Sequence, residues 1–382
     1  MELYIHIPFC ASKCRYCDFA SYAGCEAQMP AYVDALMLEA KHRAQQLGNV
    51  TFETVFIGGG TPSLLLPALL DQLLTGIKAH FSIAKDAEFT CEANPGTLTE
   101  EWLRVAVRHG MNRLSMGMQA YQPLLLRTLG RIHNYEQVKQ SVAMARAQGI
   151  SNISLDLMFG LPGQTLEQWL ESLRAALSLH PQHLSCYGLI PEEGTPLMRD
   201  LASGALSLPD EEIERAMYDE TLKLLASRGF QQYEISNFAL SGYACRHNLG
   251  YWRQVPYLGL GASASSMLEA RTDVAYTRET NPPTMQAYMA MVSQSAWEMR
   301  EVLPISLDEA RFETLMLGLR TTQGVSEADF AVRHGVTMEE CYGAKLRSLA
   351  QRGLMEHHDG YWRLTRYGMD VQNAILVELM DD

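Results

Sequence analysis

The sequence predicts an α/β protein: a partial, open (β/α)6 barrel followed by a small C-terminal winged-helix-like domain. Three observations predict it. Six short β-branched or apolar runs each precede a longer stretch of helical periodicity; glycines, cysteines and acids recur directly after those runs; and from about Ser306 the pattern changes to short helices and a two-stranded wing. Strand-helix alternation implies parallel strands joined by right-handed crossovers. Six units fall short of a closed eightfold barrel, and spacing alone does not separate the open barrel from a Rossmann-like sheet.

The six runs are YIHIP, TVFIG, FTCEA, RLSMG, ISLDLMFG and LSCYGLI. Between them, PAYVDALMLEAKHRAQQL opens a helix at Pro30, and TEEWLRVAVRHG starts at a Thr cap, carries acids in its first turn and stops at Gly110. This barrel takes residues 1–235. Past residue 200 the repeat fades into PDEEIERAMYDETLKLLASRG, and residues 236–305 read as an elaboration carrying HNLGYW. Residues 306–382 give three short helices, a wing at LMEHHDGYWRLT turning at Asp359 and Gly360, and a last helix ending near Met380.

Composition narrows the function. With 382 residues and 47% apolar content the chain can bury one large core and a smaller one. The net charge of -13, from 31 Lys+Arg against 44 Asp+Glu, repels a polyanion. The winged-helix-like segment, with eight Lys+Arg against thirteen Asp+Glu, is expected to pack or cover rather than to bind nucleic acid. MELYIHIPFC lacks the basic and apolar regions of a secretory signal, and Gly and Pro interrupt every apolar run before the roughly 18 residues of a membrane span, so a cytoplasmic protein is expected. Eight cysteines, three of them within CASKCRYC, point to metal rather than to disulfides.

CASKCRYC places Cys10, Cys14 and Cys17 at spacings of four and three, so that one loop can wrap them around one metal centre. Iron-sulfur clusters and zinc both take thiolates, and the Cys14–Cys17 spacing suits zinc as well. A structural zinc wants four protein ligands; a cubane held by three leaves one iron open, able to chelate the amino and carboxylate groups of S-adenosylmethionine (SAM). Position adds to this. The functional rim of a βα barrel lies at the carboxyl ends of its strands. The Cys loop follows the first run, Gly58 to Thr61 the second, Glu92 and Gln119 end the third and fourth, and Asp156 lies on the fifth. Taken singly, Gly58 to Gly60 also read as a strand-ending turn and Asp156 as a cap.

CxxxCxYC, GGGTP, EANPGT, RLSMGMQ, LGRIH and DLMFGLPGQT, in this order and spacing, resemble the radical SAM proteins related to oxygen-independent coproporphyrinogen III dehydrogenase. The likeness covers nearly the whole chain. Within that group it is greatest to the heme chaperones: Asp18 and Phe19 follow the third cysteine where the dehydrogenases carry a further Cys, and HNLGYW at His247 to Trp252 resembles the chaperones' HNxxYW signature.

The resemblance implies a 4Fe-4S cluster on Cys10, Cys14 and Cys17, and SAM contacts at Tyr4, Gly59 and Glu92. It further implies a second SAM site lined by Tyr16, Gly60, Thr61, Gln119, Arg131 and Asp156. His247 is the candidate heme ligand, with a structural role as the alternative; Tyr251 and Trp252 can stack on a porphyrin or fill the core. Cys245, two residues upstream of His247, offers a thiolate as an alternative ligand or reads as packing, and Cys25, Cys91, Cys186 and Cys341 read as packing. YLGLGASASS, Tyr257 to Ser266, departs from the group in lacking a His after its GxGA turn. The implied function is a chaperone that binds heme and passes it to acceptor hemoproteins, with the dehydrogenase as the alternative. A homodimer through an apolar face of the C-terminal unit, and transient contact with membrane hemoproteins, complete the expected partners.

Overall fold

The computed structural model describes residues 1–269 and 274–380. Six strands, β1 (Glu2–Ile7), β2 (Thr51–Gly59), β3 (Ser82–Ala93), β4 (Arg113–Gln119), β5 (Asn152–Phe159) and β6 (His183–Gly188), pair in parallel in the order of the chain. A strand order that never reverses has no topological switch point, so the sheet is the open barrel and not the Rossmann-like alternative. Crossover helices cover its outer face: α1 (Met29–Leu47), α2 (Pro67–His80), α3 (Glu100–Arg108), α4 (Tyr135–Ala147), α5 (Leu166–Leu177) and α6 (Glu211–Ser227). Local sequence fixes their ends. Thr99 caps α3 by accepting from Trp102 N, and Asn134 and Thr165 open α4 and α5 with reciprocal capping boxes to Gln137 and Gln168.

The period of two along each strand divides core from site. Leu3, Ile5 and Ile7 are fully buried with Tyr32, Val33 and Leu36 of α1, whereas Tyr4 and His6 face the barrel interior. Burying each such Leu or Ile contributes about 1.5–3 kcal/mol, so the outer face of the strands carries stability and leaves the inner face free for polar residues.

The stretch read as an elaboration extends the sheet. After β7 (Gln231–Gln232), β8 (Asn237–Ala239) and a short helix α7 (Arg246–Trp252), β9 (Tyr257–Leu260) returns to pair in parallel with β1. β10 (Ser265–Glu269), β11 (Tyr276–Thr280) and, beyond α8 (Met285–Ser293), β12 (Glu301–Ile305) then add on antiparallel. The full order is β12-β11-β10-β9-β1-β2-β3-β4-β5-β6-β8-β7.

The C-terminal module has its own hydrophobic cluster, including Leu315, Phe330, Leu346, Leu349 and Leu379. Helices α9 (Leu307–Gly318), α10 (Glu327–His334), α11 (Met338–Gln351) and α12 (Gln372–Met380) surround a wing of β14 (Met355–His358) and β15 (Tyr361–Leu364). Asp359 and Gly360, both at positive φ, make the turn, and the two-residue β13 (Val325–Ser326) completes a three-stranded sheet. Among the described residues no helix is long and apolar enough to cross a membrane.

Candidate functional site

The loop carrying the cysteines leaves β1 and is tied down along its length. Tyr22 N donates to Pro8 O at 2.7 Å and Arg15 N to Leu129 O at 2.9 Å, while the Arg15 guanidinium pairs with Asp200. His6 holds the loop from below: its Nδ1 accepts from Tyr4 Oη at 3.0 Å and its Nε2 donates to Ala20 O at 2.9 Å. Gly60 N and Thr61 N donate to Ile7 O and Phe9 O, locking the second strand's GGGTP turn to the chain leading into Cys10. The glycines are required by contact. A Cβ on Gly58 would lie 2.8 Å from Glu92 Oε2, and Gly59, at φ +111, would press a Cβ to within 2.5 Å of the His6 ring.

Cys10, Cys14 and Cys17 line one cavity of about 360 Å3. Gly59, Gly60 and Glu92 form a second wall, and Tyr16, Gln119, Arg131 and Asp156 the rest, so ten of the thirteen expected residues meet there. Thr61 is buried behind the wall; its hydroxyl accepts from Asn94 Nδ2 at 2.8 Å and donates to Cys10 Sγ at 3.7 Å. Arg131 donates to Cys14 Sγ at 3.4 Å and to Gly117 O at 2.9 Å. Asn94, Ser115 and Tyr187 also line the cavity and were not singled out from the sequence, although Asn94 lies within the EANPGT motif.

The site fits the groups the sequence implies. Among the described residues no three His, Cys, Asp or Glu side chains close on one metal ion. Three thiols spread over one wall suit a polynuclear cluster that gives each its own iron, and the Thr61 and Arg131 donors are placed to hydrogen-bond thiolate sulfur. Glu92 accepts from Gly59 N at 3.0 Å, and Asp156 accepts from Ser115 Oγ at 3.3 Å. Neither has an ion-pair partner among the described residues. Burial, reinforced by Asp156, pushes Glu92 up to about 7, and burial likewise raises Asp156. Arg113 acts on both carboxyls and Arg131 on Asp156, but neither forms an ion pair with them among the described residues, and two buried carboxyls so placed match a ligand that brings positive charge, as the sulfonium of SAM does.

Tyr4 lines an adjoining cavity of about 700 Å3, which shares Phe19, Gly59 and Glu92 with the first. Its far walls are Tyr251 of α7, Tyr257 and Met267 of the sheet extension, Arg278, and Leu317 of α9.

His247 lies elsewhere. It is 1% exposed on α7, lines neither cavity, and both its ring nitrogens are engaged, Nδ1 with Thr54 Oγ1 at 2.7 Å and Nε2 with Tyr251 Oη at 3.0 Å. Its ring stacks on Phe56 with centroids 5.1 Å apart, and its backbone N donates to Glu88 Oε1 at 3.1 Å. Of the two roles the sequence left open, this placement corresponds to the structural one, because an iron would have to displace a buried hydrogen bond. Burial pushes His247 down to about 3 and Glu2 up to about 8, so their 3.9 Å approach is not an ion pair at neutral pH. HNLGYW reaches the larger cavity through Tyr251, whose hydroxyl His247 holds.

Comparison with known proteins agrees with this geometry. Residues 4–176 match the radical SAM superfamily and residues 305–371 the HemN C-terminal domain. The heme chaperone HemW of Bacillus subtilis (strain 168) is 37% identical over 97% of this chain and 97% of its own length. That of Lactococcus lactis subsp. lactis (strain IL1403) is 34% identical over 99% of this chain and 97% of its own. Among solved structures, coproporphyrinogen III oxidase (HemN) from Escherichia coli, a radical SAM enzyme, covers 99% of this chain and 89% of its own with a TM-score of 0.85; at 23% identity this likeness speaks to the fold alone.

Proposed function

Because this chain belongs to the radical SAM superfamily and, within it, to the family of the HemW heme chaperones, we propose that it binds heme and transfers it to acceptor hemoproteins with a 4Fe-4S cluster and SAM as cofactors. The observation that carries the reading is the pair of joined cavities, one walled by three thiols and the other by aromatic side chains. When bound, the cluster supplies an electron and an open iron on which SAM can be held.

The residues divide the work. Cys10, Cys14 and Cys17 would hold the cluster, with Thr61 and Arg131 donating to the sulfurs of Cys10 and Cys14. Tyr4, Gly59 and Glu92 line the wall nearest the larger cavity and would take the SAM on the cluster. Tyr16, Gly60, Gln119, Arg131 and Asp156 supply the second set of SAM contacts. Asp18 and Phe19 stand where the dehydrogenases carry another Cys, and Phe19, 61% exposed, offers an apolar ring at the junction of the cavities.

We read the protein as cytoplasmic, supported by eight cysteines that are all free. The finer partner assignments, a homodimer through the C-terminal module and transient contact with membrane-bound acceptors, rest on that module's exposed Val332, Val377 and Met380.

One anaerobically reconstituted preparation tests the function, divided between a heme titration and an assay with coproporphyrinogen III, SAM and reductant. Heme bound near one per chain, passed to an apo-hemoprotein and accompanied by no decarboxylation is the expected result. Steady decarboxylation without heme binding would replace the chaperone by the dehydrogenase.

A further inference from the structure

The larger cavity holds one row of side chains that the cluster and SAM leave unused. In the sheet register Glu2 on β1 stands beside Tyr257 on β9, Tyr257 beside Met267 on β10, and Met267 beside Arg278 on β11. Residues level with one another on neighbouring strands point to the same face, and here Tyr257, Met267 and Arg278 all line the cavity. The Arg278 guanidinium lies against the Tyr257 hydroxyl. On its other side Arg278 pairs with Glu313 of α9, at 2.9 and 3.2 Å from the two carboxylate oxygens, and Tyr276 also hydrogen-bonds Glu313. Leu317, one helical turn beyond Glu313, closes the cavity from the C-terminal module.

Apart from Met267 and Asp18, the other side chains there that could ligate iron are already engaged. His6 uses both nitrogens, on Tyr4 and Ala20; Tyr4 donates to His6; Tyr251 is held by His247; and Glu92 accepts from Gly59. Tyr257 is the cavity phenol whose hydroxyl faces a cation; burial raises it and Arg278 opposes that rise, so the free residue is a phenol that iron must deprotonate, and a phenolate is one of the protein ligands that heme iron takes.

We propose that heme is seated in this cavity with Tyr257 as the axial ligand of its ferric iron and Arg278, braced by Glu313, as the residue that holds the phenolate; this rests on the heme-chaperone reading. On coordination the Tyr257 oxygen–hydrogen bond breaks, an iron–oxygen bond forms, and the proton leaves to solvent at the cavity mouth, where the Arg278 side chain is 34% exposed. No electron is transferred. The absence of a histidine from YLGLGASASS then has a chemical counterpart, since the first residue of that stretch supplies the ligand. Glu313 makes ligation sensitive to the docking of the C-terminal module, because the carboxylate that braces Arg278 comes from that module.

The test is a titration of ferric heme into the full-length protein, read by absorbance and by electron paramagnetic resonance, for the wild type and the variants Tyr257→Phe, Met267→Leu and Arg278→Gln. Wild type should show a high-spin ferric spectrum with a phenolate-to-iron charge-transfer band. Tyr257→Phe, which keeps the ring and the packing, should lose that band and bind heme at least about tenfold more weakly. Arg278→Gln should keep the band but require a higher pH to develop it, and should weaken binding about tenfold or more. Met267→Leu should leave the spectrum as in wild type. A Tyr257→Phe protein with the wild-type spectrum and affinity overturns the proposal while leaving the chaperone reading intact, as does loss of the ligand signature in Met267→Leu alone. A wild type that binds no heme refutes that reading itself.

Discussion

Gly250 lies inside HNLGYW at a position where an added methyl group would fall 1.7 Å from Glu2 Oε1. In an exposed helix, Gly→Ala stabilises by about 1 kcal/mol. Here Glu2 is 3% exposed and boxed beneath α7, so Gly250→Ala should instead cost about 1–3 kcal/mol of unfolding free energy in urea. The loss should shrink in a Glu2→Ala background; an unchanged loss there would mean that the clash is not with Glu2. The same carboxyl gives a pH dependence with a definite sign. Burial raises Glu2 from 4.5 to about 8, and its Oε2 has no hydrogen-bond partner among the described residues. A carboxyl raised on folding contributes its stability fully below pH 4.5 and loses it as pH rises through about 8. Glu2→Gln should therefore differ little from wild type at pH 4.5 and become the more stable protein as pH rises to 8, by on the order of 3–5 kcal/mol, with no further gain above it. A stability difference independent of pH would show that Glu2 stays ionised in the fold.

At the scale of elements, the cysteine loop depends on one side chain beneath it. His6 links Tyr4 to Ala20 O and packs where Gly59 leaves room, so His6→Ala frees the loop from the end of β1 without emptying the outer core. Iron and sulfide per chain after anaerobic reconstitution should fall severalfold in His6→Ala while circular dichroism stays unchanged; loss of fold together with loss of iron would make His6 a core residue. Cys10→Ala, Cys14→Ala and Cys17→Ala should each remove the brown chromophore and leave the barrel folded, because the loop contributes little to the core. How far these elements could be read from sequence follows from the range of the interactions that form them. The six barrel strands were legible because each is an apolar run set off by its own helix, and the rim residues because they directly follow those runs. β9 to β12 were not. They are four or five residues long, Gly259 and Pro304 interrupt their pattern, and β9 finds its partner β1 some 250 residues away in the chain. The two roles open to His247 could not be weighed for a related reason: the motif names the residue, but only the fold shows that Thr54 and Tyr251 occupy both nitrogens.

Across the whole molecule, the main barrel cluster and that of the C-terminal module share no residue among those described, and only a small apolar group, Met267, Tyr276 and Ile305 with Ala310 of α9, spans the seam. The barrel cluster runs from Leu3 to Val292, with Trp297 at its margin, and that of the C-terminal module from Phe312 to Leu379. Beyond that small group the contacts are polar: Arg215 with Asp370 at 2.9 Å, the Arg366 guanidinium over the Tyr218 ring at 5.0 Å, Arg333 with Gln254 at 2.8 Å, and Arg278 with Glu313. Partly exposed ion pairs of this kind are weak and screened by salt, whereas apolar burial is not weakened by it. Native-state hydrogen exchange should accordingly resolve two cooperative units. Core amides of the module, such as those of Leu346 and Leu349, should exchange through an opening of lower free energy than those of β1 to β5. Raising the ionic strength to about 1 M, where the screening length is roughly 3 Å, should speed exchange in the module and spare the barrel. If all core amides instead exchanged through a single opening that salt left unaltered, apolar contact across the seam would be holding the halves as one unit. A module that opens on its own releases Glu313 from Arg278 and lifts Leu317 from the cavity, so the same salt step should also accelerate heme dissociation from the loaded protein.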